Sequence, residues 1–368
     1  MRDDEGLHRA RRIVAQQSSP GSSRPLLSRA QRRVPTGRRF VPRSRRAVQV
    51  RSLVLSVHRL PRAGGRVRAV LPLLISISPA THYELYHDWR KALDFCRALP
   101  DVPPRAPIAF HMYWRERGGG LWPTVRRFGR KQALPVKAFL ATQDRSLCSL
   151  VVWSDADLSS NAWLQPLLPF VTLRIYDAAA EARGTALEAH PNIYRQRDRR
   201  AYRDGDLFRI LALHNYGGVY ADMDTVLLRS LGVFLDQEFV YQWDRFDDVY
   251  APALMRLRQG SAFAEELIRG VIDIRPGKYN WGRENVKRAI DRGHRISVFP
   301  SPFFNTEWQA DPEFKPFRKT PASANFYDGA FAWHWHNQWD APIERGSKFQ
   351  LLEACMDEKL TKMGLCTV

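Results

Sequence analysis

Cysteine is scarce in this 368-residue chain, and none of its four cysteines stands in a C-x-x-C pair. Cys96, Cys148, Cys355 and Cys366 are scattered, which excludes a dense disulfide framework and argues against a zinc site. A reducing compartment with free thiols is expected. Long apolar runs are missing too. The longest near the N-terminus, VLPLLISIS from Val70 to Ser78, is too short to span a bilayer and contains Pro72. Its basic flank gives it a weak likeness to a secretory leader, but no small-residue cleavage site follows, so a buried or interfacial segment is the preferred reading. Acidic residues are nearly absent from the first 70 positions. That stretch holds eighteen Arg, no Lys and three acids, and so carries fifteen of the chain's nineteen net positive charges. The remaining 298 residues are close to neutral. A strongly basic chain usually suggests nucleic acid. Here the basicity belongs to a tail without interleaved aromatics or a reading module, so no specific nucleic-acid partner is expected.

What remains is ample for a core, with 44% hydrophobic residues. Residues 1–68, rich in Arg, Ser, Pro and Gly, read as a disordered tail, as sequence upstream of the functional start, or as a transit peptide. Residues 69–104 form an N-terminal helical segment, with Leu85, Trp89, Leu93 and Cys96 at helical spacing. The segment 105–345 alternates short apolar runs with helical patterns, which predicts an α/β domain with a mostly parallel sheet. IAFHMYW (from Ile108), SLVVWSD and FVTLRIYD are its first strands, the last two read as buried, with NAWLQPLL a short helix between them. LFRILALHNY is a helix with Leu207, Ile210, Leu211 and His214 on one face. Gly217 is placed to end it in the left-handed conformation, and Gly218 to let a strand start close by. Residues 346–368 read as a C-terminal tail.

Two carboxylates follow that strand, Asp222 and Asp224, separated by Met223. Residues i and i+2 of a strand face the same side, so both point at one spot near a strand end, where α/β sheets bind ligands. Hard oxygen ligands suit Mn²⁺ or Mg²⁺, which bridge readily to phosphates. A second D-x-D, Asp155 and Asp157, follows another apolar strand but lacks the helix and glycine pair upstream. It reads as a polar strand-exit loop. Asp206 and Arg209, three apart on the helix, share a face with each other.

The combined pattern, Asp206-x-x-Arg209 then Gly217-Gly218-x-Tyr220-x-Asp222-x-Asp224, resembles the D-x-D family of retaining glycosyltransferases. That family includes initiating mannosyltransferases, α-1,4-glycosyltransferases and, distantly, the glucosylating clostridial toxins. Pro107, His111 and Trp114 resemble its first strand. YNWGRENVKRAI, FPSPFFNTEW and FAWHWHNQW resemble its later segments, with His334 and Asn337 in family positions and His336 where the family has Trp. The closing His and Trp of the mannosyl branch could instead be His334 and Trp339. The resemblance covers roughly residues 105–340. It implies a GT-A-like nucleotide-sugar-binding fold and a metal-dependent, retaining hexosyltransferase. It implies Asp222, Asp224 and His334 as metal residues with Mn²⁺ (or Mg²⁺) as cofactor. Asp206 and Arg209 would be catalytic beside Asp222 and Asp224. Trp114, Asp206, Arg209, Tyr220, Asp222 and Asn337 would bind the donor, with Trp114 stacking on its base. Trp114 as a core residue, Asp206–Arg209 as a plain surface ion pair, and His334 and His336 as structural histidines are the competing readings.

The implied partners are a nucleotide-diphosphate sugar donor (UDP- or GDP-sugar) and a glycan or lipid-linked acceptor for polysaccharide synthesis. With no anchor visible, the expected location is the cytoplasm with peripheral membrane association, or the Golgi in a eukaryote. The rival class is a haloacid-dehalogenase-type phosphatase, since ADMDTVLL fits D-x-D-x-V. Asp222 would then be the nucleophile, Asp224 the general acid, and Asp247 and Asp248 a later acidic pair. The glycine pair ahead of the motif and the early position of those acids count against it.

Overall fold

The computed structural model describes residues 75–116, 126–196, 198, 201–243, 248–275, 280–305, 315–320 and 328–365. The Arg-rich tail, most of the Val70–Ser78 run, Asp247 and Cys366 lie outside them. Cys96, Cys148 and Cys355 are free thiols. Among the described residues, no helix is long and apolar enough to cross a membrane.

Seven strands form one sheet in the order β3-β2-β1-β4-β7-β6-β8. They are β1 (Ile108–Trp114), β2 (Cys148–Ser154), β3 (Thr172–Ile175), β4 (Gly218–Ala221), β6 (Phe239–Gln242), β7 (Tyr250–Leu257) and β8 (Ser297–Phe299). β3, β2, β1 and β4 run parallel, and β6 runs parallel to β8. β7 is antiparallel to both its neighbours. A separate two-strand ribbon pairs β5 (Thr225–Leu227) with β9 (Ala332–His334). This is the mixed, mostly parallel, helix-flanked sheet expected of a GT-A-like fold.

Alternate residues of each strand face opposite layers. Phe110, Met112 and Trp114 of β1 and Val219 and Ala221 of β4 enter one apolar cluster. Tyr113 and Tyr220 enter another, with Leu207, Phe208 and Leu211 of the helix Tyr202–Tyr216. That helix is buried on nearly all sides, including Phe208, Ala212 and Leu213, so it is a core helix and not the one-faced helix its pattern suggested. His214, expected on the apolar face, instead meets Glu265 at 2.8 Å.

Three further elements differ from expectation. The 81–99 stretch is two helices, Pro79–His87 and Trp89–Ala98. Asp88 divides them by accepting from the Arg90 and Lys91 amides, the usual work of an N-cap. β3 is an edge strand with Thr172, Arg174 and Ile175 exposed, not a buried one, because among the described residues no strand pairs on its outer side. The segment expected as a tail contains the helix Lys348–Lys362, whose Phe349, Leu352 and Met356 pack into the apolar interior.

The glycine pair has a steric explanation. Gly217 caps the helix at φ 66°, ψ −158°. Its φ is positive as expected, but its ψ places it in a region essentially restricted to glycine rather than in the left-handed helical well. Gly218, at φ +89°, brings β4 so close to β1 that an added Cβ would sit 2.1 Å from the Ala109 carbonyl oxygen. Gly218→Ala is therefore expected to destabilise the fold by about 2–4 kcal/mol, combining backbone strain with a clash against backbone. Urea unfolding followed by circular dichroism measures it, and unchanged stability would contradict this close approach.

Candidate active site

The parallel strands β1, β2 and β4 end on the same side of the sheet, and the predicted residues gather there. β4 stops at Ala221, so Asp222 and Asp224 lie in the turn between β4 and β5 and not within a strand. The turn is fixed by its backbone: Asp222 N donates to Ala253 O at 2.7 Å, and Thr225 N to Asp222 O at 2.9 Å. It is the turn, not strand alternation, that converges the two carboxylates.

His334 arrives from 110 residues later because β9 pairs with β5 and sets His334 opposite Thr225. Trp335 N then donates to Asp224 O at 3.1 Å. Donor atoms of Asp222, Asp224 and His334 all fall within 4.8 Å of one another. His334 Nε2 lies 3.1 Å from Asp224 Oδ1. Among the described residues this buried nitrogen has no polar partner beyond that carboxylate. The other ring nitrogen, Nδ1, faces the Tyr241 hydroxyl at 3.4 Å. Two hard carboxylates converging with a buried imidazole nitrogen fit a divalent ion such as Mn²⁺. Burial opposes charging His334, but Asp224 and Asp222 outweigh it and hold its pKa above the ordinary value. Burial pushes the Asp224 carboxyl up, yet His334 and the Asn337 amide (2.6 Å from Oδ2) more than reverse this. Asp222 is raised by burial, with Arg209 pulling it down and Asp224 adding to the rise.

The helix Tyr202–Tyr216 supplies the next layer. Asp198 caps it by accepting from the Tyr202 and Arg203 amides at 3.0 Å. Buried Asp204 pairs with the partly buried Arg115, just past the end of β1. So anchored, the helix presents Asp206 and Arg209. Arg209 Nη2 lies 3.3 Å from Asp206 Oδ1 and 3.1 Å from Asp222 Oδ1. Its guanidinium also sits over the Tyr220 ring at 4.8 Å, and the Tyr220 hydroxyl donates to Asp222. Asp206 and Arg209 are therefore a buried pair joined to the D-x-D, not a surface ion pair.

Trp114 ends β1, buried, with its Nε1 donating to Glu116 Oε2 and Arg126 O, each at 3.2 Å. Trp339 meets it edge-on at a centroid distance of 4.9 Å. Asn337 touches the site through its backbone, whereas its side-chain oxygen accepts from Trp339 Nε1 at 3.0 Å. His336 packs against the His334 ring at a centroid distance of 4.0 Å, while its Nε2 meets Asn305 Oδ1 at 3.0 Å, so it backs the three converging residues without joining them. His111 is a structural joint. The Trp153 indole donates to its Nδ1 at 3.2 Å, so its Nε2 carries the proton toward Gly217 O at 3.0 Å. Burial lowers its pKa to about 4, consistent with that neutral form. Asp155 accepts from the Glu116 amide and Asp157 from Ser159, the strand-exit role expected of this second D-x-D.

Two contributors carried little sequence signal. Tyr241 backs His334 from β6, in a run of ordinary strand residues. Gly282, in the π-helical turn Asn280–Glu284, lies against Asp206, where an added Cβ would stand 2.6 Å from Asp206 Oδ1. The Trp-Gly pair marked the segment but not this role. Gly282→Ala should displace the Asp206 carboxylate and lower turnover about tenfold or more, since small misplacements of reacting groups are costly. Kinetics showing native turnover would separate Gly282 from the site.

Residues 143–241 match the family described as glycosyltransferase sugar-binding region containing DXD motif. Those residues are thus similar to a DXD glycosyltransferase sugar-binding region. Asp206, Arg209, Tyr220, Asp222 and Asp224 lie inside the matched residues of this region, and Trp114, His334 and Asn337 outside them. No curated protein matches the sequence. Among solved structures, a PaToxG glycosyltransferase is similar at 11% identity and a TM-score of 0.40, over 55% of this chain and 75% of that one. A WbbM bifunctional glycosyltransferase is 12% identical with a TM-score of 0.37, over 72% of this chain and 52% of that one. The bacterial N-acetylglucosamine transferase NleB is 12% identical with a TM-score of 0.31, over 54% and 90%. Likeness at this level says nothing about substrate. Nothing in the fold or the family match supports the phosphatase reading.

Proposed function

We propose that the chain is a metal-dependent, retaining glycosyltransferase that moves a hexose or N-acetylhexosamine from a UDP- or GDP-sugar to a glycan or lipid-linked acceptor. The observation that supports it most is the convergence of Asp222, Asp224 and the buried His334 Nε2 beside the Asp206–Arg209 pair. Asp222, Asp224 and His334 would hold Mn²⁺ or Mg²⁺, which when bound offsets the charge left on a departing diphosphate. Asp206 accepts hydrogen bonds from donor-sugar hydroxyls. Arg209, held between Asp206 and Asp222, keeps both carboxylates oriented and balances their charge. Trp114, at the end of β1, and Trp339 packed edge-on against it receive the base. No carboxylate is assigned as a nucleophile, so departure and attack take place on one face of the sugar. Location in the cytoplasm with peripheral membrane association, or in the Golgi of a eukaryote, belongs to the same proposal.

The test is a screen of UDP- and GDP-sugars for hydrolysis with and without Mn²⁺, scored by nucleotide released. Metal-dependent release from one or a few donors is expected. Release of phosphate from simple phosphomonoesters, with no sugar nucleotide consumed, would overturn the assignment.

A further inference from the structure

We propose that Lys131 is a positioning residue for this reaction: its ammonium clamps the closing segment that carries Asn337 and Trp339, and thereby sets affinity for the metal-bound nucleotide. The inference rests on the reading of Asp224 as a metal ligand and of Trp114 as part of the donor site.

Lys131 lies near the start of the helix Arg130–Thr142 and is only 8% exposed. Its Nζ donates to three carbonyls of one short stretch: Gln338 at 2.7 Å, Trp339 at 2.8 Å and Ala341 at 2.6 Å. An ammonium has three donors, and all are used. The Phe317 ring covers the same nitrogen at 3.6 Å. Burial lowers its pKa to about 8, so it is largely charged at neutral pH.

From the clamped stretch two short routes lead to the site. Trp339 meets Trp114 and donates to Asn337 Oδ1, and the Asn337 amide donates to Asp224 Oδ2. His336 and Asn337 both adopt positive φ, at 56° and 59°, which disfavours this turn unless its surroundings hold it. Lys131 supplies that hold at the C-terminal side, as the β5–β9 ribbon does at the other. Neighbours on the same helix do different work. Arg130 pairs with Glu353 and Lys137 with Asp357 (2.8 Å), both on the helix Lys348–Lys362. Lys137 is thus an internal control, tying down packing but not the closing segment.

The experiment compares Lys131→Met, Lys131→Arg and Lys137→Met in the full chain. Hydrogen exchange of the 335–341 amides, without ligand, reads the clamp independently of any activity. Binding of Mn²⁺ with UDP or GDP and the kcat and KM of donor hydrolysis read its consequence. Lys131→Met should raise exchange at 335–341, weaken Mn²⁺–nucleotide binding at least tenfold, and raise KM far more than it lowers kcat. Lys131→Arg should fall between native and Met, because a planar fork does not direct three bonds from one point as an ammonium does. Lys137→Met should leave both the exchange and the affinity near native. Unchanged exchange in Lys131→Met, or affinity lost equally in Lys137→Met, would overturn the clamp. Faster exchange with native nucleotide affinity would overturn its link to the site. Absence of Mn²⁺-dependent nucleotide binding in the native protein would instead count against the function proposed above.

Discussion

Asn in place of Asp224 is expected to reduce Mn²⁺-dependent nucleotide binding by about 100-fold or more, at or beyond the upper end of effects from perturbing a metal site's supporting groups. Asp224 is the most committed of the three converging residues. One of its oxygens lies beside His334 Nε2, the other accepts from the Asn337 amide, and its own carbonyl accepts from Trp335 N. An amide in its place loses the charge and sets an NH₂ against a donor or a metal. Asp222 is less buried and is already balanced by Arg209 and Tyr220. Asp222→Asn should therefore bind more weakly than native but better than Asp224→Asn. Raising Mn²⁺ should recover part of its activity, because loss of one ligand is offset by mass action whereas loss of a nucleophile is not. Titration calorimetry with Mn²⁺ and UDP or GDP orders the variants. Failure of any Mn²⁺ concentration to restore Asp222→Asn, together with a phospho-aspartate trapped on the native protein, would return the chain to the phosphatase class.

The part of this site legible in the sequence was the part held by local chemistry. Asp206 and Arg209 are one helical turn apart, and Gly217-Gly218 leads directly into the D-x-D, so spacing paired Asp206 with Arg209 and Asp222 with Asp224, and the family resemblance joined the two pairs. Even there the detail was off: the carboxylates converge through a turn, because β4 ends one residue before Asp222. His334 and Asn337 were reachable only through family resemblance, since what brings them in is the β5–β9 ribbon, a pairing with no local signature. Lys131 was invisible for a related reason. A lysine beside an arginine reads as solvated surface until the fold shows three carbonyls converging on it. The helix break at Asp88 was legible in principle, as an N-cap residue ahead of a new apolar period, but continuous apolar spacing across it masked the signal. The exposure of β3 was not legible at all, because a strand's place at the edge of a sheet depends on which strands pair beside it.

Asp206→Asn is expected to cut turnover by about 10²–10³-fold while leaving Mn²⁺-dependent nucleotide binding near native. The magnitude is that of removing one well-placed polar contact to the reacting group. The separation follows from the proposed function: Asp206 is joined to the D-x-D through Arg209, which assigns it to the sugar end of the donor and not to the diphosphate. The pH profile gives an independent reading. Burial raises the Asp206 pKa to about 6, against the pull of Arg209 and with the charge of Asp222 adding to the rise. Above that value it is a carboxylate able to accept two sugar hydroxyls. Below it the proton occupies one oxygen and the charge facing Arg209 is lost. Native turnover should therefore fall as the pH drops through about 6, and the residual activity of Asp206→Asn should lack that limb, since an amide does not titrate. Isothermal binding of UDP or GDP, run beside steady-state hydrolysis from pH 5 to 8, checks both parts. Equal loss of binding and turnover would mean that the substitution had damaged the helix Tyr202–Tyr216 itself, and an unchanged acid limb would assign that proton to another group.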